Sequence, residues 1–168
     1  MAQSFYISIY LVAIVSANLL VSAFGQPALI VTAFILIPFD LVTRDILHEE
    51  WDGRGIQYKM PALILSGSLL TYMMNVDAGR IAVASVAAFG SAGVVNWIVY
   101  EVLRKRSRMI KMNASNALAA ITDSVMFPII AFEVVSAGLC VSQASMKMVG
   151  GFFWSYLFTR LFLKAAAK

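Results

Sequence analysis

A few polar side chains interrupt the apolar stretches of this sequence, and they mark where chemistry could take place. Asp123 lies near the middle of the segment ASNALAAITDSVMFPIIAF, with no basic residue three or four positions away. A carboxylate in apolar surroundings needs a partner, because an unpaired buried charge is costly. That partner must come from another helix, from water or from a substrate. The alternative to a binding role is a structural hydrogen bond between helices.

A second acidic position, Asp40, follows a proline in the segment IPFDLVTRDILHEE. Asp40 and Arg44 are spaced i,i+4, so both fall on one face of a helix and could form a salt bridge with each other. Pro38 removes a backbone donor just before Asp40, which is typical of binding sites inside membranes and makes the pair a candidate site as well. His48 has no metal-binding spacing, so no metal is predicted.

Two amides, Asn18 and Asn96, also lie within apolar runs. A buried amide often joins neighbouring helices, and it can equally bind a ligand, so both interpretations stay open for each residue. Phe127 and Trp97 follow Asp123 and Asn96 closely in the sequence. Either ring could stack on a planar ligand or serve only in packing.

The elements that position these residues are predicted to be membrane helices. The 168-residue chain is 61% hydrophobic and 13% charged, whereas soluble domains are nearer half apolar and a quarter charged. A span needs about 20 apolar residues. The sequence predicts an all-α, single-domain bundle of six transmembrane helices, over residues 5–24, 28–47, 61–75, 81–103, 114–137 and 141–164.

The basic residues predict the orientation of this bundle. With six helices, both termini lie on one side of the membrane, and eleven of the 13 Lys and Arg residues belong to that side. Only Arg80 and Lys147 are assigned to the other side. The excess predicts that both termini are cytoplasmic. Because no basic residue precedes Arg44, we expect the first apolar run to be a retained helix rather than a signal peptide.

Three blocks of the sequence resemble the VUT family of queuosine-precursor transporters. They read PFDLVTRDILHEEWDGRG, RIAVASVAAFGSAGVVNWIVYEVLRKR and NASNALAAITDSVMFPIIAF. The third is the most specific, with its Asn/Ser start, then Asp-Ser, then Phe. The resemblance covers nearly the whole chain. The chain differs from the family at Asn96, where an aspartate is common.

The resemblance implies a fold and a function. The fold would be a six-helix bundle similar to the substrate-binding subunits of energy-coupling-factor vitamin transporters. The function would be uptake of 7-cyano-7-deazaguanine or a related 7-deazapurine across a bacterial cytoplasmic (inner) membrane. The alternative is a substrate-binding subunit that requires an energy-coupling partner. An enzyme is not predicted, because one His at a helix end and one lone Cys provide no nucleophile–base pair.

The partners implied are the small-molecule 7-deazaguanine and the lipid bilayer, with no cofactor and no nucleic acid; homo-oligomerisation stays open. A carboxylate can accept two adjacent N–H donors, so Asp123 is the expected main contact to the edge of a deazaguanine. Either Asn18 or Asn96 would donate to its carbonyl oxygen, and Phe127 or Trp97 would cover the ring. Asp40 and Arg44 complete the set of expected site residues.

Overall fold

The computed structural model describes residues 2–51, 55–133 and 136–166, and this part of the chain is helical apart from short connections. Its elements are α1 (Ala2–Phe24), α2 (Gln26–Phe34), α3 (Leu36–Trp51), α4 (Ile56–Met74), a short 3₁₀ helix (Val76–Ala78), α5 (Gly79–Val102), α6 (Arg108–Phe132) and α7 (Ala137–Ala166). No strand occurs among the described residues. The predicted all-α class is therefore confirmed.

The outside of the bundle is apolar, as expected for a membrane protein. Three helical segments of the described chain are long and apolar enough to span a bilayer, namely Gln3–Phe24, Val76–Val99 and Ala114–Phe132. Large apolar side chains such as Phe152 and Val102 are more than three-quarters exposed. Water-soluble proteins rarely expose continuous surfaces of this kind. The fold is thus that of an all-α membrane protein, whereas the number of six spans stays a prediction.

The predicted second span, 28–47, is divided into α2 and α3 by a break at Ile35. Neither part is long enough to cross a bilayer alone. Pro38 has no N–H group, so the carbonyl of Phe34 loses the donor that a continuous helix would supply. The backbone of α7 fits against this break at Gly150, where an added β-carbon would lie 2.3 Å from the carbonyl oxygen of Phe34. The single helix predicted over 28–47 is therefore two helices in the structure.

Helices α1 and α7 hold the bundle together. Helix α1 packs against α2, α3, α4 and α5, while α7 packs against α2, α3 and α6, and α5 forms a hairpin with α6. One core cluster includes Tyr10, Ile14, Leu47, Trp51 and Leu63. On α5 the small side chains Ala82, Ala84, Ser85, Ala88 and Ala92 are buried. Small side chains let helix backbones approach closely, so this face of α5 is used inside the bundle.

Helix α6 ends at Phe132, five residues before the predicted boundary at 137. The next residue, Glu133, has a left-handed conformation with φ 56°, which ends the helix. Arg80 at the start of α5 donates from Nε to the carbonyl of Ile130 at 2.8 Å and from Nη2 to Glu133 Oε1 at 2.6 Å. The pair is well exposed, so it joins two helix ends without contributing much to stability.

Candidate functional site

A buried ion pair joins α6 to α7 in the interior of the bundle. Asp123 is 7% exposed and Lys147 is 5% exposed. Lys147 Nζ donates to Asp123 Oδ2 and, at 3.0 Å, to Ser124 Oγ. The sequence required a partner for Asp123 from another helix, from water or from a substrate, and in the structure it comes from another helix.

The position of Lys147 corrects the sequence interpretation, which had counted this residue of the predicted span 141–164 among the basic residues on the outer side of the membrane. Helix α7 begins at Ala137, four residues before the predicted boundary at 141. Lys147 is therefore ten residues into the helix, about 15 Å along its axis. Because Lys147 is buried inside the bundle, Arg80 alone remains of the two basic residues counted on the predicted outer side, and the orientation stays a prediction.

The ion pair leaves Asp123 able to bind more than Lys147. An ionised carboxylate offers about four lone-pair positions on its two oxygens. Among the described residues, only Lys147 donates to this carboxylate. Pro128, which is fully buried in α6, cannot donate to the carbonyl of Ser124, so a backbone acceptor beside Asp123 also lacks its usual helical partner.

The ion pair lines a cavity at the centre of the bundle. The cavity has about 360 Å³ of empty space, which includes its mouth, and room for about one water molecule between its walls. Every α-helix except α4 contributes to its lining, which consists of Ala17, Asn18, Val21, Leu29, Thr32, Ala33, Ile37, Ser85, Phe89, Asp123, Phe127, Gln143 and Lys147. The cavity thus combines apolar and aromatic walls with a small number of polar groups, as ligand sites do.

Three of the residues predicted from the sequence meet in this cavity: Asn18, Asp123 and Phe127. Asn18 is 2% exposed, and its Nδ2 donates to Thr71 Oγ1 on α4 at 3.3 Å. The Thr71 hydroxyl in turn donates to the carbonyl of Gly67 at 2.9 Å. The two interpretations left open for Asn18 are therefore compatible, because this amide joins α1 to α4 and also faces the cavity.

We predict that Thr71→Val lowers the free energy of unfolding by about 0.5–2 kcal/mol, because it leaves the buried Asn18 amide without its acceptor. Thermal unfolding in detergent measures this loss. Because valine has nearly the shape of threonine, the cavity walls keep their positions and uptake should be retained. An unchanged stability would show that the contact between Asn18 and Thr71 contributes nothing to holding α1 against α4.

The other predicted site residues lie elsewhere. Asn96 is half-buried on α5, two turns beyond Phe89 and outside the cavity lining. Trp97 follows it and is 67% exposed, because consecutive helical residues point about 100° apart. Asp40 is fully buried on α3 but does not line the cavity. The side chain of Arg44 lies outside the described residues, so the predicted pairing of Asp40 with Arg44 stays a prediction.

The residues that the sequence interpretation missed are mainly on α7. Lys147 and Gln143 are spaced i,i+4 in the segment VSQASMKMVGG, and both line the cavity. This spacing puts two polar side chains on one face of an otherwise apolar helix, which was the available signal. Phe89 is 4% exposed and lines the cavity from α5. No group of three or more His, Cys, Asp or Glu residues in the described ranges could hold a metal ion.

The comparisons with known proteins give one match. A family model described as "putative vitamin uptake transporter" matches residues 9–166 of the chain. No curated protein and no solved structure matches significantly. The matched range includes all of the residues that line the cavity.

Proposed function

The chain belongs to the vitamin uptake transporter family, and from this we propose that it imports a 7-deazapurine queuosine precursor, such as 7-cyano-7-deazaguanine, across the bacterial cytoplasmic membrane. The observation that carries the proposal is the central cavity, in which the buried Asp123 carboxylate faces aromatic and apolar walls. An ionisable group at this depth in a membrane protein is commonly part of a substrate or ion pathway.

The chemistry of the cavity suits such a ligand. The pyrimidine edge of a 7-deazaguanine presents two adjacent N–H donors, and a carboxylate can accept both. Asp123 retains lone pairs for these donors beside its bond to Lys147. Phe89 and Phe127 line the cavity and offer apolar surface to the ring. A ligand lacking the donor edge would leave buried polar groups unpaired, which is a strong basis for rejection.

The broken helix α2–α3 provides a way for the cavity to change shape. With room for about one water molecule, the cavity is too narrow for a bicyclic ring, so the walls must separate during transport. Leu29, Thr32 and Ala33 of α2 and Ile37 of α3 line it on both sides of the break. Interrupted helices that line the binding site are typical of transporters. We propose that α2 and α3 move relative to α7 when substrate enters and leaves.

The proposal is tested by complementation. The chain is expressed in a bacterium that neither makes nor imports the precursor, and queuosine is measured in its tRNA after 7-cyano-7-deazaguanine is supplied. We expect rescue by the wild type and none by Asp123→Asn, compared at equal amounts of protein in the membrane. Asn keeps the size of the side chain but donates on one side, so it repels one N–H of the substrate. Rescue by Asp123→Asn would remove Asp123 from the proposed site.

Reconstitution separates this proposal from the alternative of a binding subunit. An energy-coupling partner could dock on the run of small residues between Ala82 and Ala92, but most of these side chains are buried inside the bundle. We therefore propose a self-sufficient transporter. Pure protein in liposomes should take up the precursor without an ATPase, whereas binding without uptake would favour the alternative.

A further inference from the structure

We infer that Gln143 is a specificity-determining residue of the cavity, and that its side-chain amide donates a hydrogen bond to the carbonyl oxygen of a lactam-type heterocycle. This inference rests on the proposed function and identifies the ring carbonyl as the substrate group that the cavity recognises. It concerns a residue of α7 that the sequence interpretation did not select.

Gln143 is buried without a hydrogen-bond partner for its donor group. The residue is 2% exposed, and Nε2 contacts no acceptor within the described part of the chain. An unsatisfied buried amide usually costs about 1–3 kcal/mol. Native proteins satisfy nearly all such groups, so an exception at a residue that lines a cavity is consistent with a partner that enters from outside the protein.

Three other residues that line the cavity already donate to acceptors of the protein. Asn18 donates to Thr71, and the hydroxyl of Thr32 donates to the carbonyls of Ala28 and Leu29. Lys147 donates to Asp123 and Ser124. Gln143 differs from these three residues, because its amide can donate to a ligand without breaking a contact within the described part of the protein.

The position of Gln143 also fits the proposed binding mode. It precedes Lys147 by four residues on α7, so the amide and the ion pair lie one turn apart on the same face. Asp123 and Lys147 neutralise each other, so selection among ligands depends mainly on hydrogen bonds. With Asp123 accepting from the N–H edge, the neighbouring ring carbonyl needs a donor beside the ion pair. Gln143 supplies one, which completes the recognition of a lactam.

The test compares two ligands that differ in the carbonyl alone. We propose binding measurements on the purified full chain in detergent, with 7-cyano-7-deazaguanine and with its 6-thioxo analogue. The analogue keeps the N–H edge for Asp123, but its sulfur is a weak acceptor. For the wild type we expect clear preference for the oxo ligand. For Gln143→Met, which keeps the length of the side chain, we expect about tenfold weaker binding of the oxo ligand and unchanged binding of the analogue.

Two controls accompany the measurement. Ser68→Ala removes another buried polar group that lacks a partner among the described residues, but Ser68 lies on α4 away from the cavity. This variant should bind both ligands as the wild type does. Gel filtration and thermal unfolding check the fold of each variant, and Gln143→Leu replaces Gln143→Met if the latter does not fold.

The outcomes separate this inference from the proposed function. If the wild type and the variant at position 143 bind the oxo ligand equally well, Gln143 does not bind the ring carbonyl and the inference fails. The proposed function would still stand. Equal weakening of both ligands would also overturn the inference, because it indicates a purely structural role. If the wild type binds neither ligand, both the inference and the proposed function fail.

Discussion

Replacing Lys147 by methionine is expected to lower the free energy of unfolding by about 3–5 kcal/mol, because it leaves the Asp123 carboxylate buried without a counter-charge. Methionine keeps the length and most of the volume of lysine, so the loss reports charge rather than packing. Chemical or thermal unfolding in detergent measures it. We also expect uptake to be lost, since Lys147 lines the cavity in contact with the proposed binding carboxylate.

Replacing both partners separates the structural role of the pair from its role in transport. Asp123→Leu combined with Lys147→Met removes both charges, and apolar replacements of buried ion pairs are often neutral or stabilising. The double variant should therefore recover most of the stability lost by Lys147→Met. It should still fail to transport, because no carboxylate faces the cavity. Normal uptake by the double variant would mean that the pair serves the fold alone.

The exposed pair between Arg80 and Glu133 is a control within the same chain. Its side chains are 52% and 77% exposed, whereas those of Lys147 and Asp123 are 4% and 10% exposed. We expect Glu133→Gln to change the stability by only about 0–1 kcal/mol, since solvent screens an exposed pair. A loss as large as that of Lys147→Met would show that burial is not what makes the interior pair important.

The sequence was sufficient to predict the fold class and the need for a partner to Asp123. Long apolar runs in a chain with few charges indicate membrane helices, because lipid can cover surface that a small soluble core cannot. A carboxyl group inside the membrane that has no basic residue three or four positions away needs a partner from outside its own helix. Lys147 was not identified as that contact because it was counted with the outer side of the membrane, although the predicted span 141–164 includes it. A single sequence does not show which turns of neighbouring helices meet, so the contact between α6 and α7 was not predicted.

The composition of the cavity depends on packing that no single helix encodes. Helix α5 contributes Ser85 and Phe89 to the lining, whereas Asn96 and Trp97 lie farther along the same helix. Only the crossing with neighbouring helices determines which turn of α5 faces the interior. The break at Ile35 also depends on packing between helices. Pro38 weakens one backbone contact, but the separation into two helices also reflects the close approach of Gly150 on another helix.

Replacing Gly150 by alanine is expected to separate α7 from the break between α2 and α3. The added methyl group would lie 2.3 Å from the carbonyl oxygen of Phe34 and 2.7 Å from Pro38 Cγ. A backbone carbonyl and a proline ring cannot rotate away as a flexible side chain can, so the helices must shift. Such overpacking commonly costs about 1–3 kcal/mol. Since α2 and α3 line the cavity, we expect uptake to fall as well, measured in liposomes beside thermal unfolding.

The neighbouring glycine provides a matched control for this prediction. A β-carbon added at Gly151 would meet no atom within 4 Å. Gly151→Ala should therefore be neutral or stabilising by up to about 1 kcal/mol, because alanine favours the helix more than glycine does. Both variants change the same helix in the same way, so a difference between them isolates the contact with the broken helix. If Gly151→Ala reduced uptake as strongly as Gly150→Ala, the loss would come from a stiffer α7. The close contact between Gly150 and Phe34 would then not be required for transport.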